Sequence, residues 1–295
     1  MRILIAGCNG IIGTYLHNKL SLDYIVTGLG SKEKSNVQDY YSIDLSKKNL
    51  LKNLVEHLPR YDILIYLVGL AHKKGKGKDI SEFRKINKQT LVNFLSILDE
   101  RNKVPAKIIF ASTISVYGEK IENIIYTEES KKDPFSAYAL TKLEAEEYLI
   151  ENYFSQSWLL RFAPVYEKNF QLNIHRRTKI SKFNFRVSDG EKKLSLCNIE
   201  NIGIVIESII RNKIPTGIYN VSDTVNYSYN DLLKHVKSRF VMPIPSIVVR
   251  VLFLIGKKFD NVFLKENMVK LISDNIFVSN KINEFVKLTA TLEDH

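Results

Sequence analysis

Met1-Arg2-Ile3-Leu4-Ile5-Ala6-Gly7-Cys8-Asn9-Gly10-Ile11-Ile12-Gly13 is the stretch that decides the fold. Its first half is a short continuous apolar run, the pattern of a strand buried on both faces. Its second half sets three glycines three apart, after which Leu16 and Leu20 continue at helical spacing. A strand that turns sharply into a helix is the opening unit of a doubly wound sheet.

The same alternation extends outward. Tyr24 to Thr27, Asp62 to Val68 and Ala106 to Ser112 read as further strands, and Ile86 to Leu98 carries apolar residues at helical spacing. Strands apolar on both faces and separated by helices predict a parallel sheet covered on both sides, with ligands beyond the carboxyl ends of the strands. Ser157 to Phe162 reads as another core strand and Gly217 to Val221 as a weaker one. Lys168 to Glu191 is polar, basic and loop-like, and the run Ile247–Ile255, interrupted by Arg250, reads as a buried helix. The expected organisation is a Rossmann-type α/β domain over 1–164, with 196–221 returning to it. A smaller C-terminal substrate-binding domain then takes 165–195 and 222–295.

The chain has 295 residues, 45% of them hydrophobic, with 15 Tyr and 15 Phe, enough apolar surface to exclude wholesale disorder. Only Cys8 and Cys197 are present, so a disulfide framework is excluded. No secretory leader pattern opens the sequence, and no apolar run approaches the ~18–20 residues that span a bilayer. A cytoplasmic protein with no transmembrane segment is expected. The 43 Lys+Arg outnumber the 32 Asp+Glu, a net charge of +11. That surplus suits polyanions, but no helix-turn-helix, zinc ligand set or RNP-like strand accompanies it, so nucleic acid is not an expected partner. The six histidines lack metal-ligand spacing, and no metal is expected. Lys73 to Lys78 reads as a solvated basic loop, with Arg176-Arg177 a second basic spot better shaped to grip phosphate.

Gly7 permits the tight turn, Gly10 lets the backbone approach a pyrophosphate, and Gly13 lets the helix pack on the strand. The helix N-terminus then offers free N–H groups to phosphates. The turn therefore predicts a dinucleotide cofactor touching Gly7, Asn9, Gly10, Ile11, Ile12 and Gly13. A carboxylate after the second strand would select NAD through the ribose. Here Gly30-Ser31-Lys32 stands instead, with no acid before Glu33, and Ser31 and Lys32 suit the extra phosphate of NADP. NADP(H) or NAD(H) is the expected cofactor.

Tyr138 and Lys142 stand four apart, on one face of a helical pattern. An ammonium beside a phenol favours phenolate, so the pair is expected to lower the tyrosine pKa and exchange a proton near neutral pH. Ser112, Thr113 and Ser115 place hydroxyls at the end of the preceding strand, able to orient a carbonyl or alcohol beside Tyr138.

Glycine turn, strand-end hydroxyls and Tyr/Lys pair occur in this order, and the chain resembles the extended short-chain dehydrogenase/reductases that act on nucleotide sugars, an epimerase, dehydratase and reductase group. The resemblance implies that Asp44 and Leu45 contact adenine, that Leu67, Val68 and Gly69 wall the cofactor, and that Asn87 is the structural asparagine beside it. It implies Thr113, Tyr138 and Lys142 as the catalytic residues. Ser115, Tyr138, Asn173 and Lys270 would contact a UDP-sugar, and a homodimer is expected. Phe162 and Glu167 depart from the family's proline and glycine.

The resemblance also frames the reaction. Thr113-Ile114-Ser115 lacks the acidic pair of the dehydratases. The missing second-strand acid fits a dissociable NADP(H). The expectation is therefore an NAD(P)H-dependent reductase of a UDP-4-keto-6-deoxy-N-acetylhexosamine in surface polysaccharide biosynthesis. The alternatives are a UDP-hexose or UDP-N-acetylhexosamine 4-epimerase with bound NAD and, in another class, a non-catalytic NAD(P)-sensing regulator.

Overall fold

The computed structural model describes residues 1–33, 35, 37–70, 80–118 and 120–294. The contacts divide the chain into two units. The first gathers Met1–Thr113, Ala137–Arg161 and Ile206–Ile218; the second gathers Ile114–Ser136, Phe162–Val205 and Tyr219–His295.

The first unit is built on a seven-stranded sheet. In spatial order the strands are Gly217–Val221, Ser157–Phe162, Lys107–Thr113, Ile63–Tyr66, Arg2–Ala6, Ile25–Gly30 and Tyr40–Ser42. The pairings from Lys107–Thr113 across to Tyr40–Ser42 are all parallel. Chain order reverses at Arg2–Ala6, which lies between Ile63–Tyr66 and Ile25–Gly30. A ligand crevice is expected at the carboxyl ends of strands around such a switch point. Leu4, Leu64, Tyr66, Phe94, Phe110, Leu149 and Leu159 share one core. Tyr66 packs 6.5 Å from Phe94 and 6.3 Å from Phe110, ring centroid to centroid.

The helix Ile11–Leu20 buries Gly13, Leu16, His17 and Leu20, one helical stripe. The helix Ala137–Tyr153 buries Ala139, Thr141, Lys142, Ala145, Glu146 and Leu149. Two of those buried positions are charged, which an apolar face alone would not produce.

In the second unit, a four-stranded sheet runs Tyr227–Ser228, Lys193–Leu194, Asn275–Phe277, Ile124–Tyr126, and a three-stranded one runs Val241–Ile244, Phe183–Val187, Lys179–Ile180. Tyr166, Ile174, Phe185, Val187, Leu196 and Leu232 belong to its core.

Two sequence expectations are corrected here. The 168–191 stretch is not a loop: it holds the helix Leu172–Thr178 and a strand pair, Lys179–Ile180 and Phe183–Val187. Its buried faces are only two residues deep, Ile174 with Thr178 and Phe185 with Val187, so basic neighbours mask them. The 247–255 run is helical, within Ser246–Lys258, but it is not buried. Only Val249 and Gly256 of that helix are fully buried, with Leu252 and Phe253 half-buried. It leans on the helix Val262–Ile272, where a side chain at Gly256 would come 2.8 Å from Leu264 Cβ. The basic loop of 73–78 lies outside the described residues. Among the described residues no helix is long and apolar enough to cross a membrane.

Candidate cofactor and catalytic site

The glycine turn has the shape that its spacing predicts. Gly7 adopts φ +89°, and a Cβ there would come 3.0 Å from Leu67 C and Val68 N. At Gly13 a Cβ would meet Gly7 O at 2.5 Å and Cys8 Cα at 2.6 Å, so helix and turn touch backbone to backbone. At Gly10 a Cβ would approach only Gly7 O, at 3.4 Å. The protein thus leaves the Gly10 ledge open, while the two outer glycines are filled by the fold itself. Gly10 caps the helix without a side chain, and the first turn carries no acid. The leading N–H groups of a helix have no intrahelical acceptor and attract anions. A dinucleotide pyrophosphate fits this cradle.

Beyond the second strand, neutral side chains build a hydrogen-bond network around Gly30. Tyr40 donates its hydroxyl to Asn9 Oδ1 (2.9 Å) and to Lys32 O (2.6 Å), and Asn9 Nδ2 donates to Ser35 Oγ (2.9 Å). Asn9 lies across Gly30, where a Cβ would fall 1.9 Å from its Oδ1. Ser31 and Lys32 are exposed beside it. Asp44 turns its carboxylate onto Ser46 N (3.0 Å), and the Ser46 hydrogen bonds hold it below the usual range; Leu45 is a core side chain.

Asn87 is fully buried in a π-helical turn, Lys85–Gln89. Its Oδ1 accepts from Leu70 N (2.6 Å), and its Nδ2 donates to Thr141 Oγ1 (2.9 Å). It therefore ties the end of the Ile63–Tyr66 strand to the helix that carries Tyr138 and Lys142. A Cβ on exposed Gly69 would stand 3.2 Å from Lys142 Cε and Nζ.

Thr113, Tyr138 and Lys142 come together in the same unit. Thr113 is buried at the last residue of its strand and is hydrogen-bonded to the Tyr138 hydroxyl. Lys142 Nζ donates to Ala111 O (2.8 Å) and Val68 O (3.2 Å), and sits 4.6 Å from the centroid of the Phe110 ring. Burial pushes this lysine down to about 7, against a smaller upward pull from Glu146.

The expected depression of the tyrosine pKa does not occur. Burial pushes the Tyr138 phenol up to about 12, and the Thr113 hydrogen bond only partly opposes it. The ammonium faces backbone carbonyls and has itself lost much of its charge near neutral pH. The phenol is held protonated at neutral pH.

Sequence reading did not pair Glu146 with Arg161. Both are fully buried. Arg161 Nε donates to Glu146 Oε1 (3.0 Å), Nη2 donates to Oε2 (2.7 Å), and Ser112 donates its hydroxyl to Oε1. Glu146 follows Lys142 by one helical turn, so the signal was present: charges at the core positions of an otherwise apolar stripe.

In the second unit, Ser115 lies half-buried in the short 3₁₀ turn Ile114–Tyr117. Asn173 donates its side-chain Nδ2 to Val165 O (2.8 Å), and its backbone carbonyl accepts from Arg177 Nη1 (2.8 Å). Lys270 lines a cavity with Arg177, Lys193, Ser195 and Ser273, whose free volume of about 20 Å³ admits one water. Arg177, Lys193 and Lys270 thus line one small cavity, and Lys193 was not among the residues singled out from the sequence. Arg176 is exposed and Arg177 half-buried. Asp223 is a buried anchor, accepting from Tyr166 (2.7 Å), Tyr227 (2.9 Å) and Asn201 (2.8 Å).

A model of the NAD dependent epimerase/dehydratase family matches residues 3–202. Protein CapI of Staphylococcus aureus is 32% identical over 165 residues, 50% of this chain and 48% of that protein. The N-acetyl-alpha-D-glucosaminyl-diphospho-ditrans,octacis-undecaprenol 4-epimerase of Escherichia coli O157:H7 is 26% identical over 255 residues, 83% of this chain and 74% of that one. The chain spans about half the length of the first curated relatives it matches. Among solved structures, UDP-glucuronic acid 4-epimerase from Bacillus cereus in complex with NAD gives a TM-score of 0.75 at 19% identity, covering 100% of this chain and 94% of that one. Human epimerase family protein SDR39U1 with NADPH gives 0.75 at 15% identity, covering 99% and 96%. At those identities the likeness is one of fold.

Proposed function

The chain belongs to the NAD dependent epimerase/dehydratase family, and from that premise we propose that it is an NAD(P)-dependent 4-epimerase of a nucleotide sugar. The observation that carries this reading is the contact of the Thr113 and Tyr138 hydroxyls beside buried Lys142, in the unit that also holds the open glycine cradle. A sensor of the cofactor has no need of that group. The names of the relatives, several of them 4-epimerases, favour epimerisation over the 4-ketoreduction that the sequence suggested. The reductase remains the second reading, favoured by Gly30-Ser31-Lys32, where an NAD-selecting acid is absent.

Gly7, Gly10, Gly13 and the N–H groups of Ile11 and Ile12 would hold the pyrophosphate, with Asn9, Ser31, Lys32, Asp44 and Leu45 on the adenosine side. Leu67, Val68, Gly69 and Asn87 would stand behind the nicotinamide. When bound, the cofactor supplies hydride exchange at a sugar carbon. Tyr138 would exchange the hydroxyl proton at that carbon: it would take the proton from the sugar oxygen as hydride leaves the carbon and return it as hydride comes back to the other face, so the phenol must give up its own proton before an epimerisation begins. Thr113 orients phenol and sugar oxygen through its hydroxyl. Lys142 holds the floor of the site through Val68 O and Ala111 O. The resemblance assigns Ser115, Asn173 and Lys270, all in the second unit, to the sugar nucleotide. A homodimer completes the proposal.

Product analysis by NMR decides the reaction. Interconversion of UDP-GlcNAc and UDP-GalNAc, or of UDP-glucuronate and its 4-epimer, without net consumption of cofactor is the expected result. Stoichiometric loss of NADPH absorbance with a UDP-4-keto-6-deoxy sugar, and no epimerisation, would replace it with the reductase.

A further inference from the structure

The helix Ser246–Lys258 carries more apolar surface than the helix Val262–Ile272 and the core around Val249 cover. Successive residues turn by ~100° in an α-helix. Val249, Leu252, Phe253 and Gly256 fall on the covered side. Ile247, Val248, Val251, Leu254 and Ile255 occupy a second sector about 120° wide on the other. Ile247 is 63% exposed and Leu254 61%, and Phe259 just past the helix end is 70% exposed. A contiguous apolar stripe of this kind marks an interaction face.

The charges around it have one sign. Between Asp231 and Asp260 the chain holds Lys234, Lys237, Arg239, Arg250, Lys257 and Lys258, and no carboxylate. Asp260 itself is paired with Lys265 Nζ at 2.7 Å. Arg250 and Lys257 line one flank of the apolar sector, and Lys258 sits at its end beside the Phe259 ring, 5.9 Å from the centroid. The strand that feeds this helix through Pro245 belongs to the three-stranded sheet, where the composition repeats. Ile180 pairs with Phe183, and both are exposed, as is Phe240 at the start of the next strand. Lys179, Lys182 and Arg186 accompany them, again without an acid between Glu167 and Asp189.

We propose that the helix Ser246–Lys258 is an interfacial anchor that lays its exposed apolar sector into the surface of an anionic phospholipid bilayer. Ile247, Val251, Leu254 and Phe259 enter the acyl boundary while Arg250, Lys257 and Lys258 meet the headgroup phosphates. The helix has 13 residues, too short to span, so it lies in the plane of the surface. A second copy of this chain would set Arg250, Lys257 and Lys258 against their own equivalents unless an acid answered them, and the helix supplies none. The basic flank singles out lipid phosphate as the occupant. The proposal is independent of the reaction assigned above.

Co-sedimentation of the full chain with vesicles tests it. The wild-type chain is expected to pellet with phosphatidylglycerol/phosphatidylcholine vesicles, to stay soluble with phosphatidylcholine alone, and to be released as salt rises. The double variant Val251→Glu/Leu254→Glu should lose at least about tenfold in partitioning. Arg250→Glu/Lys257→Glu should lose the preference for anionic vesicles. Circular dichroism melting unchanged from wild type shows that the variants fold. Should they fail to fold, Leu254→Gln and the salt dependence of the wild-type chain carry the test. Three results would overturn the proposal: no pelleting of the wild type with anionic vesicles, equal partitioning of the glutamate variant, or a fall in oligomer mass by light scattering in that variant. The last would mean that a second copy covers the face.

Discussion

Lys142 shows how one buried charge links stability to pH. Its folded-state pKa of about 7 lies below the ordinary 10.5. Below pH 7 both folded and unfolded chains hold the proton, and the burial penalty is fully present. Between about 7 and 10.5 the unfolded chain binds a proton that the folded one has released, so stability rises with pH through that window. Urea unfolding across it should show a positive slope that Lys142→Met reduces; equal slopes would refute the assignment. Tyr138 is the group proposed to exchange the sugar hydroxyl proton. Tyr138→Phe should cut turnover by about 10²–10⁴-fold while leaving cofactor binding, read by NAD(P)H fluorescence, unchanged. Glu146→Gln leaves Arg161 as a buried cation facing a neutral partner. A loss of about 3–5 kcal/mol in chemical denaturation is expected, because an uncompensated buried charge is costly. The same substitution should lower the Lys142 pKa further, since the Glu146 carboxylate supports the ammonium. Tyr138 and Lys142 were legible as a pair because four residues make one helical turn. The direction of the tyrosine shift was not, because it depends on which atoms from other strands surround the phenol.

At the scale of elements, the strand–turn–helix unit at the N-terminus separates two uses of glycine. Gly13→Ala places a methyl group 2.5 Å from Gly7 O and 2.6 Å from Cys8 Cα, backbone atoms that cannot turn aside. It should destabilise the fold by about 1–3 kcal/mol. Gly10→Ala meets only Gly7 O, at 3.4 Å, and should leave the melting temperature almost unmoved. It should nonetheless weaken dinucleotide binding, measured by calorimetry, by roughly tenfold or more, because the ledge must admit a pyrophosphate against the backbone. The turn was readable because its chemistry is contained in seven consecutive residues. The short strands and helix of 172–187 were not, since none buries more than two residues and each relies on the rest of its unit for cover. The helix Ser246–Lys258 was readable as a helix but not as an exposed one. An all-apolar period says that burial is wanted, and only the number of neighbours says whether it is provided.

The whole molecule buries both of its cysteines. Cys8 is inaccessible beneath Gly28, and burial pushes its thiol up to about 11; Cys197 is raised likewise by burial and by Asp223. Neither should react with a thiol reagent in the native protein, and both should react once denaturant is added. A fast-reacting thiol in the native state would contradict the burial of the glycine turn. The net charge of +11 takes a similar shape from the fold. In sequence it reads as a surplus spread over the chain. In the second unit Arg177, Lys193 and Lys270 converge on one cavity, and Arg250, Lys257 and Lys258 border one apolar face. The sequence by itself determined the class of fold, the strand–glycine–helix turn and the candidate group Thr113, Tyr138 and Lys142. These follow from short-range geometry: turn chemistry, helical period and residues at strand ends. Only the tertiary structure decided the Glu146–Arg161 pair, the protonation of Tyr138 and Lys142, the cluster of cations and the exposed helix. Each of those depends on how much water and which distant side chains surround a group, and desolvation is a property of the packed chain rather than of any segment in it.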